Sequence, residues 1–361
     1  MHSSSQNGST GTISNDKVLN WSYVYIKIEV SQLSNHQSFK LTRNGITYSS
    51  KTLSGNSNLT LYSGSLSDGN YELTYVGNYK KNIFTGTTTF TYKYRFVIDK
   101  TGPTYSLKAG GVTVSSGTYT NKQIVYSVSD YKTYCIYYRK PSSSSYSTTY
   151  SDSYTIAATD SNNGRWYLYA EDWYYNTNTT VNVYLDTIKP VGTVRAGGYI
   201  VSNGGYTNKA ISYTATDTGG INYLQYKSPS SSSWVIYSSG TSVSGSNGWY
   251  TFRAVDLAGN YSDEYKVYYD ASIPTGTLYG GASTKSSGSY TNAEYVKYVA
   301  SNSYSGIANC YVKLPNASYY SSYTSGSQLT AEGTYEFYCV SKAGTSSATV
   351  KITLDKTKPV G

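Results

Sequence analysis

Asp99-Lys100-Thr101-Gly102-Pro103, Asp186-Thr187-Ile188-Lys189-Pro190, Asp270-Ala271-Ser272-Ile273-Pro274 and Asp355-Lys356-Thr357-Lys358-Pro359 are four versions of one start signal. They stand 87, 84 and 85 residues apart, from 99 to 186, 186 to 270 and 270 to 355. A period of that size is one small domain, near the lower size at which a single core suffices. The expected organisation is a flexible segment at 1–16, a diverged unit at 17–99, repeats at 100–186, 187–270 and 271–355, and the start of a further repeat at 356–361. Because the last signal runs two residues past its proline, the expectation is a segment of a longer tandem array.

Inside each repeat a Gly-rich turn leads to Tyr119-Thr120-Asn121, Tyr206-Thr207-Asn208 or Tyr290-Thr291-Asn292, and an alternating strand follows. Period two turns Ile124, Tyr126 and Val128 inward in the first repeat, with Ile211, Tyr213 and Ala215 in the second and Val296, Tyr298 and Ala300 in the third. A further strand runs into a loop at Pro141, Pro229 or Pro315, where proline stops pairing. Trp166-Tyr167-Leu168-Tyr169-Ala170, Tyr250-Phe252-Ala254 and Tyr335-Phe337-Cys339 mark a later strand, and Val181-Val183-Leu185, Tyr265-Val267-Tyr269 and Val350-Ile352-Leu354 the last. No segment sustains an amphipathic helical pattern. Turn signals every eight to twelve residues predict six or seven short strands per unit, the spacing of a β-sandwich.

The start signal, Tyr-Thr-Asn before the second strand, a terminal Asp, and Ala254-Val255-Asp256-Leu257-Ala258-Gly259-Asn260 together resemble the bacterial immunoglobulin-like repeats of large surface and secreted proteins. The resemblance covers about Asp99 to Gly361 well and the first unit loosely, and this chain is richer in Tyr. It implies an all-β chain of tandem immunoglobulin-like sandwiches, an extracellular or cell-surface location, and a role as stalk or adhesive unit. With about 3.3 Å per strand residue, four such domains head to tail predict a monomeric extended rod well over ~100 Å long.

Composition narrows the function. Charged residues are 14% of the chain while Tyr numbers 46, and aromatic and β-branched side chains suit half-buried strands. The net charge of +9 is scattered without a run of like charges, so nucleic acid is not an expected partner. Weak attraction to anionic wall polymers and a merely soluble basic surface both stay open. No apolar run is long enough to span a membrane, and residues 1–16 do not read as a signal peptide. His2 and His36 are the only histidines, which rules out His-based triads and His-ligated metals. No P-loop, nucleotide fingerprint or Cys-x-x-Cys is present, and the expectation is a chain without enzymatic activity.

Three constellations remain. In an immunoglobulin-like topology the start of the first strand and two later loops share one pole. That brings Asp99, Asp130 and Asp172 together, likewise Asp186, Asp217 and Asp256, whereas the third repeat offers Asp270, Asn302 and Ser341. Such oxygens suit a structural Ca²⁺, or each Asp closes its own turn. Aromatics recur in one loop at Tyr146, Trp234 and Tyr320, and Trp173-Tyr174-Tyr175 replaces Leu-Ala-Gly; these are candidates for a glycan or cell-surface ligand, or for packing. Cys310 and Cys339 share a repeat and predict either one disulfide or two buried thiols, with Cys135 left over. An internal Lys–Asn amide bond needs a buried lysine, and Lys122 and Lys209 read as exposed. The reading that results is a spacer or adhesive stalk. A carbohydrate-binding accessory region of a large hydrolase is the alternative, and a phage or virion fibre segment is a third.

Overall fold

The computed structural model describes residues 2–4, 10–12, 17–19, 24–28, 37–53, 59–80 and 87–360. The chain is all-β and divides into two compact units, Met1–Thr118 with Lys122–Leu185, and Tyr119–Asn121 with Asp186–Gly361. The second repeat shows the plan. One sheet orders Tyr199–Ile200, Val191–Ala196 and Ile211–Thr216; the other orders Gly205–Thr207, Tyr265–Tyr269, Gly248–Asp256, Ile221–Lys227 and Val235–Tyr237. Two sheets face to face with this order form an immunoglobulin-like sandwich. The third repeat repeats it strand for strand, and the first adds Ser153–Ile156 to its smaller sheet. In the second and third repeats the strand count is eight, against the predicted six or seven. The surplus comes from two- and three-residue pieces such as Tyr199–Ile200 and Val235–Tyr237, too short for a periodic signal.

Period two placed the core. Ile124, Tyr126, Ile211, Tyr213, Val296 and Tyr298 are all buried, and the later-strand sets Trp166–Leu168–Ala170, Tyr250–Phe252–Ala254 and Tyr335–Phe337–Cys339 pack against them. Burying a large side chain of this kind stabilises by roughly 1.5–3 kcal/mol. A tyrosine can fill these cores because its hydroxyl finds a partner. Asn178 Nδ2 donates to Tyr126 at 2.8 Å, Ser262 Oγ lies 3.1 Å from the Tyr213 hydroxyl, and Cys339 Sγ lies 3.5 Å from that of Tyr298. Each loop proline also packs on the glycine that opens a long strand. A Cβ added at Gly164, Gly248 or Gly333 would meet the ring of Pro141, Pro229 or Pro315 at 2.5, 2.6 and 2.5 Å, and φ there is +121°, +139° and +124°. Both steric space and backbone conformation therefore require glycine.

The N-terminal unit shares the five-strand order, with Lys17–Leu19, Thr87–Ile98, Gly69–Lys80, Gln37–Arg43 and Ile46–Leu53. Its edge strand runs parallel to the last strand, as Gly205–Thr207 does to Tyr265–Tyr269. Within residues 1–16, His2–Ser4 pairs with Thr10–Thr12 and with Val24–Ile28; the rest of that segment, and His36, lie outside the described residues. No helix among the described residues is long and apolar enough to cross a membrane.

Candidate functional site

Strand ends deliver the acids to the poles. Asp99 follows Thr87–Ile98, Asp130 follows Ile124–Ser129, and Asp172 ends Gly164–Asp172. Their carboxylate oxygens lie within 4.8 Å of one another, and the same holds for Asp186, Asp217 and Asp256. Turn closure uses part of this set. Asp172 accepts from Tyr174 N at 2.7 Å and Asn176 N at 2.9 Å, and Asn176 Nδ2 spans Asp172 Oδ2 at 2.7 Å and Asp99 O at 3.2 Å. Asp130 Oδ1 accepts from Tyr131 N at 2.7 Å. The remaining oxygens, Asp99 Oδ2 and Asp130 Oδ2, are buried and have no hydrogen-bond partner.

Those two oxygens set the electrostatics. Asp99 is 6% exposed, and burial, followed by the neighbouring Asp130 charge, pushes its pKa up to about 6. Burial raises Asp130 as well. A fourth acid, unforeseen from the sequence, joins them: Asp68 of the N-terminal sandwich accepts from Thr101 Oγ1 and adds its charge to both. A recurring residue before a strand-opening glycine was the available signal, since Glu332 before Gly333 accepts from Lys356 N at 2.6 Å and Thr357 Oγ1 at 2.9 Å.

The second pole has the same build. Asn260 Nδ2 donates to Asp256 Oδ2 at 2.7 Å and Asp186 O at 2.8 Å, while Asp217 accepts from Gly219 N at 2.7 Å. Burial, opposed by the hydrogen bond from Ile188 N and reinforced by Asp217, raises Asp186. At the first pole four carboxylates, two of them with buried unpaired oxygens, and at the second three clustered carboxylates offer the hard oxygen donors that suit a divalent cation.

The third pole solves the same problem with neutral groups. Asp270 is fully buried, but Ser272 N donates at 2.8 Å, Ser305 N at 3.2 Å, and both serine hydroxyls donate as well. Burial works upward on this carboxyl, yet the Ser272 and Ser305 hydrogen bonds prevail and hold it below the ordinary range. Asn302 Oδ1 accepts from Tyr304, Ser305 and Gly306 amides, and Ser341 Oγ accepts from Thr345 N. Among the described residues this pole is absent from the acidic clusters able to hold a metal.

The Tyr-Thr-Asn motif is a junction element. In the second unit Thr207 O accepts Asp270 N at 2.9 Å, so the buried threonine binds the first residue of the next start signal. Asn208 Nδ2 then reaches Thr345 Oγ1 at 3.1 Å, and Lys342 Nζ lies 5.6 Å from the Tyr206 ring. Thr120 O and Asn121 Nδ2, grouped in the same unit, repeat this toward Asp186 N and Asn260 Oδ1 at 2.9 Å each.

The loop aromatics divide. Tyr146 packs on Tyr169 at 5.2 Å, Tyr320 on Tyr338 at 5.0 Å, and Trp234 stacks on Arg253 at 4.0 Å and Lys227 at 4.4 Å. All three cover the outer sheet face. Tyr174 is half-buried, whereas Trp173 and Tyr175 stay exposed. Cys310 and Cys339 stand directly opposite in register, both buried, and all three cysteines are free thiols. Lys122 and Lys209 are exposed.

No protein-family model matches the chain, and no curated protein matches it. Among solved structures it is similar to the amphioxus IgVJ-C2 molecule, at 13% identity over 45% of this chain and 96% of that one, TM-score 0.27. It is also similar to fibronectin(III)-like modules of Clostridium thermocellum CbhA, at 16% identity over 45% and 92%, TM-score 0.25. A third is domains 4-9 of the surface layer protein SbsC, at 12% identity over 95% and 64%, TM-score 0.20. At such scores the immunoglobulin-like assignment rests on the strand order itself.

Proposed function

We propose that the chain is a non-enzymatic stalk and adhesion segment of a bacterial cell-surface or secreted protein, with Ca²⁺ stiffening the poles of its first two repeats. The junction inside the second unit carries this reading. Asp270 is at once the end of one sandwich and the first residue of the next, bonded through its amide to Thr207 O, with Asn208 gripping Thr345 beyond it. A joint with no spacer, crossed by the Asn208–Thr345 hydrogen bond and by Lys342 against the Tyr206 ring, resists bending, which is what a stalk requires. Ca²⁺ would be held in the first repeat by Asp99, Asp130 and Asp172 beside Asp68, and in the second by Asp186, Asp217 and Asp256. Its chemistry there is charge neutralisation and cross-linking of loops.

Two glutamates serve as ion-pair partners on strand faces. Glu72 is paired with Lys93 at 2.9 Å and Arg95 at 3.1 Å, and Glu336 with Lys351 at 3.0 Å. Small-angle scattering of the intact chain tests the stalk. A maximum dimension well over ~100 Å, with a narrower distribution of conformations in Ca²⁺ than in chelator, is expected; a compact particle overturns the reading.

A further inference from the structure

A repeat chain contains its own reference: what two sister domains omit, the fold does not require. On the first repeat Tyr134 meets Trp173 edge-on at 4.9 Å and Tyr150 edge-on at 5.4 Å, with Lys132 Nζ 5.8 Å from the Trp173 ring. Tyr175 lies within electrostatic reach of Tyr134. Trp173 is 55% exposed, Tyr150 72% and Tyr175 80%. Strand register makes the counterparts explicit, because Thr133, Ile221 and Ile307 pair with Asp172, Asp256 and Ser341. Tyr134, Trp173 and Tyr175 therefore correspond to Asn222, Leu257 and Gly259, and to Ala308, Lys342 and Gly344. Tyr150 follows its short edge strand as Ser238 and Thr324 follow theirs. None of the eight counterparts is aromatic.

One of the four is also held against its backbone preference. Tyr175 has φ +66°, where Gly259 and Gly344 have +89° and +87°. A left-handed bulky residue is strained, so the ridge stands at the expense of local stability that its sisters keep. We propose that Tyr150, Tyr134, Trp173 and Tyr175 form a binding ridge for a neutral β-linked glycan. At about 150–250 Å² per aromatic side chain, these exposures leave on the order of 500 Å², short of the roughly 800 Å² each partner contributes to a specific protein interface. That area matches a few pyranose rings. The flat C–H faces of β-linked sugars stack on aromatic rings, while tyrosine hydroxyls and Lys132 supply hydrogen bonds to sugar hydroxyls. Among the described residues Lys132 is the one cation placed against the ridge, too little positive charge to select a polyanion, so a neutral sugar is the fitting ligand.

The inference adds to the stalk reading, which needs no ridge, and the two fail separately. The test titrates the intact chain with cellohexaose, xylohexaose and chitohexaose, following tryptophan fluorescence and heat. A variant carrying the second repeat's residues, Tyr134→Asn, Tyr150→Ser, Trp173→Leu and Tyr175→Gly, is compared, with the single Trp173→Leu and Tyr175→Gly changes as conservatively folded controls. Saturable binding of at least one sugar, weakened about tenfold or more in the variant at unchanged scattering dimension, is the expected result. Absence of binding to all three sugars, or equal binding by the variant, overturns the ridge. So does concentration-dependent self-association of the parent that the variant loses, which would make the ridge a contact between copies of the chain.

Discussion

The poles of the first and third repeats occupy the same place in the same sandwich and treat buried charge in opposite ways. At the first, Asp99, Asp130 and Asp172 converge with Asp68 nearby, and two buried oxygens lack donors. At the third, Asn302 and Ser341 stand in for two acids, and Ser305 and Ser272 saturate the single carboxylate left. Turn closure uses one oxygen of each acid at the first pole and leaves Oδ2 of Asp99 and Asp130 unpaired. Asn302 and Ser341 close equivalent turns with neutral side chains, which favours the proposed cation role for the extra carboxylates of the first pole. Uncompensated buried charge is costly, and a cation that binds only the folded state repays it.

The largest effect should come from turning the third pole into the first. Asn302→Asp with Ser341→Asp places two new carboxylates against buried Asp270, and in chelator the third repeat should lose about 3–5 kcal/mol. A hundredfold excess of Ca²⁺ over its dissociation constant should restore about 2.7 kcal/mol; urea unfolding with and without Ca²⁺ measures both. Indifference of this variant to Ca²⁺ would break the comparison.

A pH titration in chelator comes next. Asp99 is raised to about 6 from an ordinary value of 3.8, so the folded first repeat binds its proton more tightly than the unfolded chain does. Its stability should therefore rise as pH falls from 7 toward 4, by up to about 3 kcal/mol. Asp270 is lowered, so its contribution is present above the ordinary carboxylate pKa and is lost only as pH falls through the depressed value. Hydrogen exchange read by repeat along the intact chain would show the two poles moving in opposite directions; parallel movement would contradict the assignment.

Asn260→Ala removes the donor shared by Asp256 Oδ2 and Asp186 O, and should destabilise the second repeat by about 1–3 kcal/mol. Thermal unfolding of the intact chain checks this. The smallest effect has the opposite sign. Tyr175→Gly should stabilise the first repeat by about 1 kcal/mol through relief of its left-handed backbone, and a lowered melting temperature would show that Tyr175 packs more than it strains.

Much of this was legible in the chain because repetition and period two are one-dimensional signals. The inward sets at Ile124, Tyr126, Val128 and their sisters, and the grouping of Asp99 with Asp130 and Asp172, follow from spacing plus sandwich topology. Asp68 was not legible as a member, because it arrives from the preceding sandwich and its role depends on how Thr101 turns. Asn176 and Asn260 went unread although each stands four residues past its Asp, a spacing that Ser341 and Thr345 share. Tyr-Thr-Asn read only as the lead-in to a strand, since nothing in a single repeat reveals that Asn208 reaches Thr345 of the next one. Tyr146, Trp234 and Tyr320 pack on the outer sheet, and their periodicity alone could not separate packing from ligand contact.

On the proposed reading the first two poles bind Ca²⁺ and the third does not. Hydrogen–deuterium exchange of the intact chain in Ca²⁺ and in chelator tests it directly. Loops at Asp99, Asp130 and Asp172, and at Asp186, Asp217 and Asp256, should gain protection in Ca²⁺, while those at Asp270, Asn302 and Ser341 stay unchanged. Equal protection at all three poles, or none at any, would contradict the account.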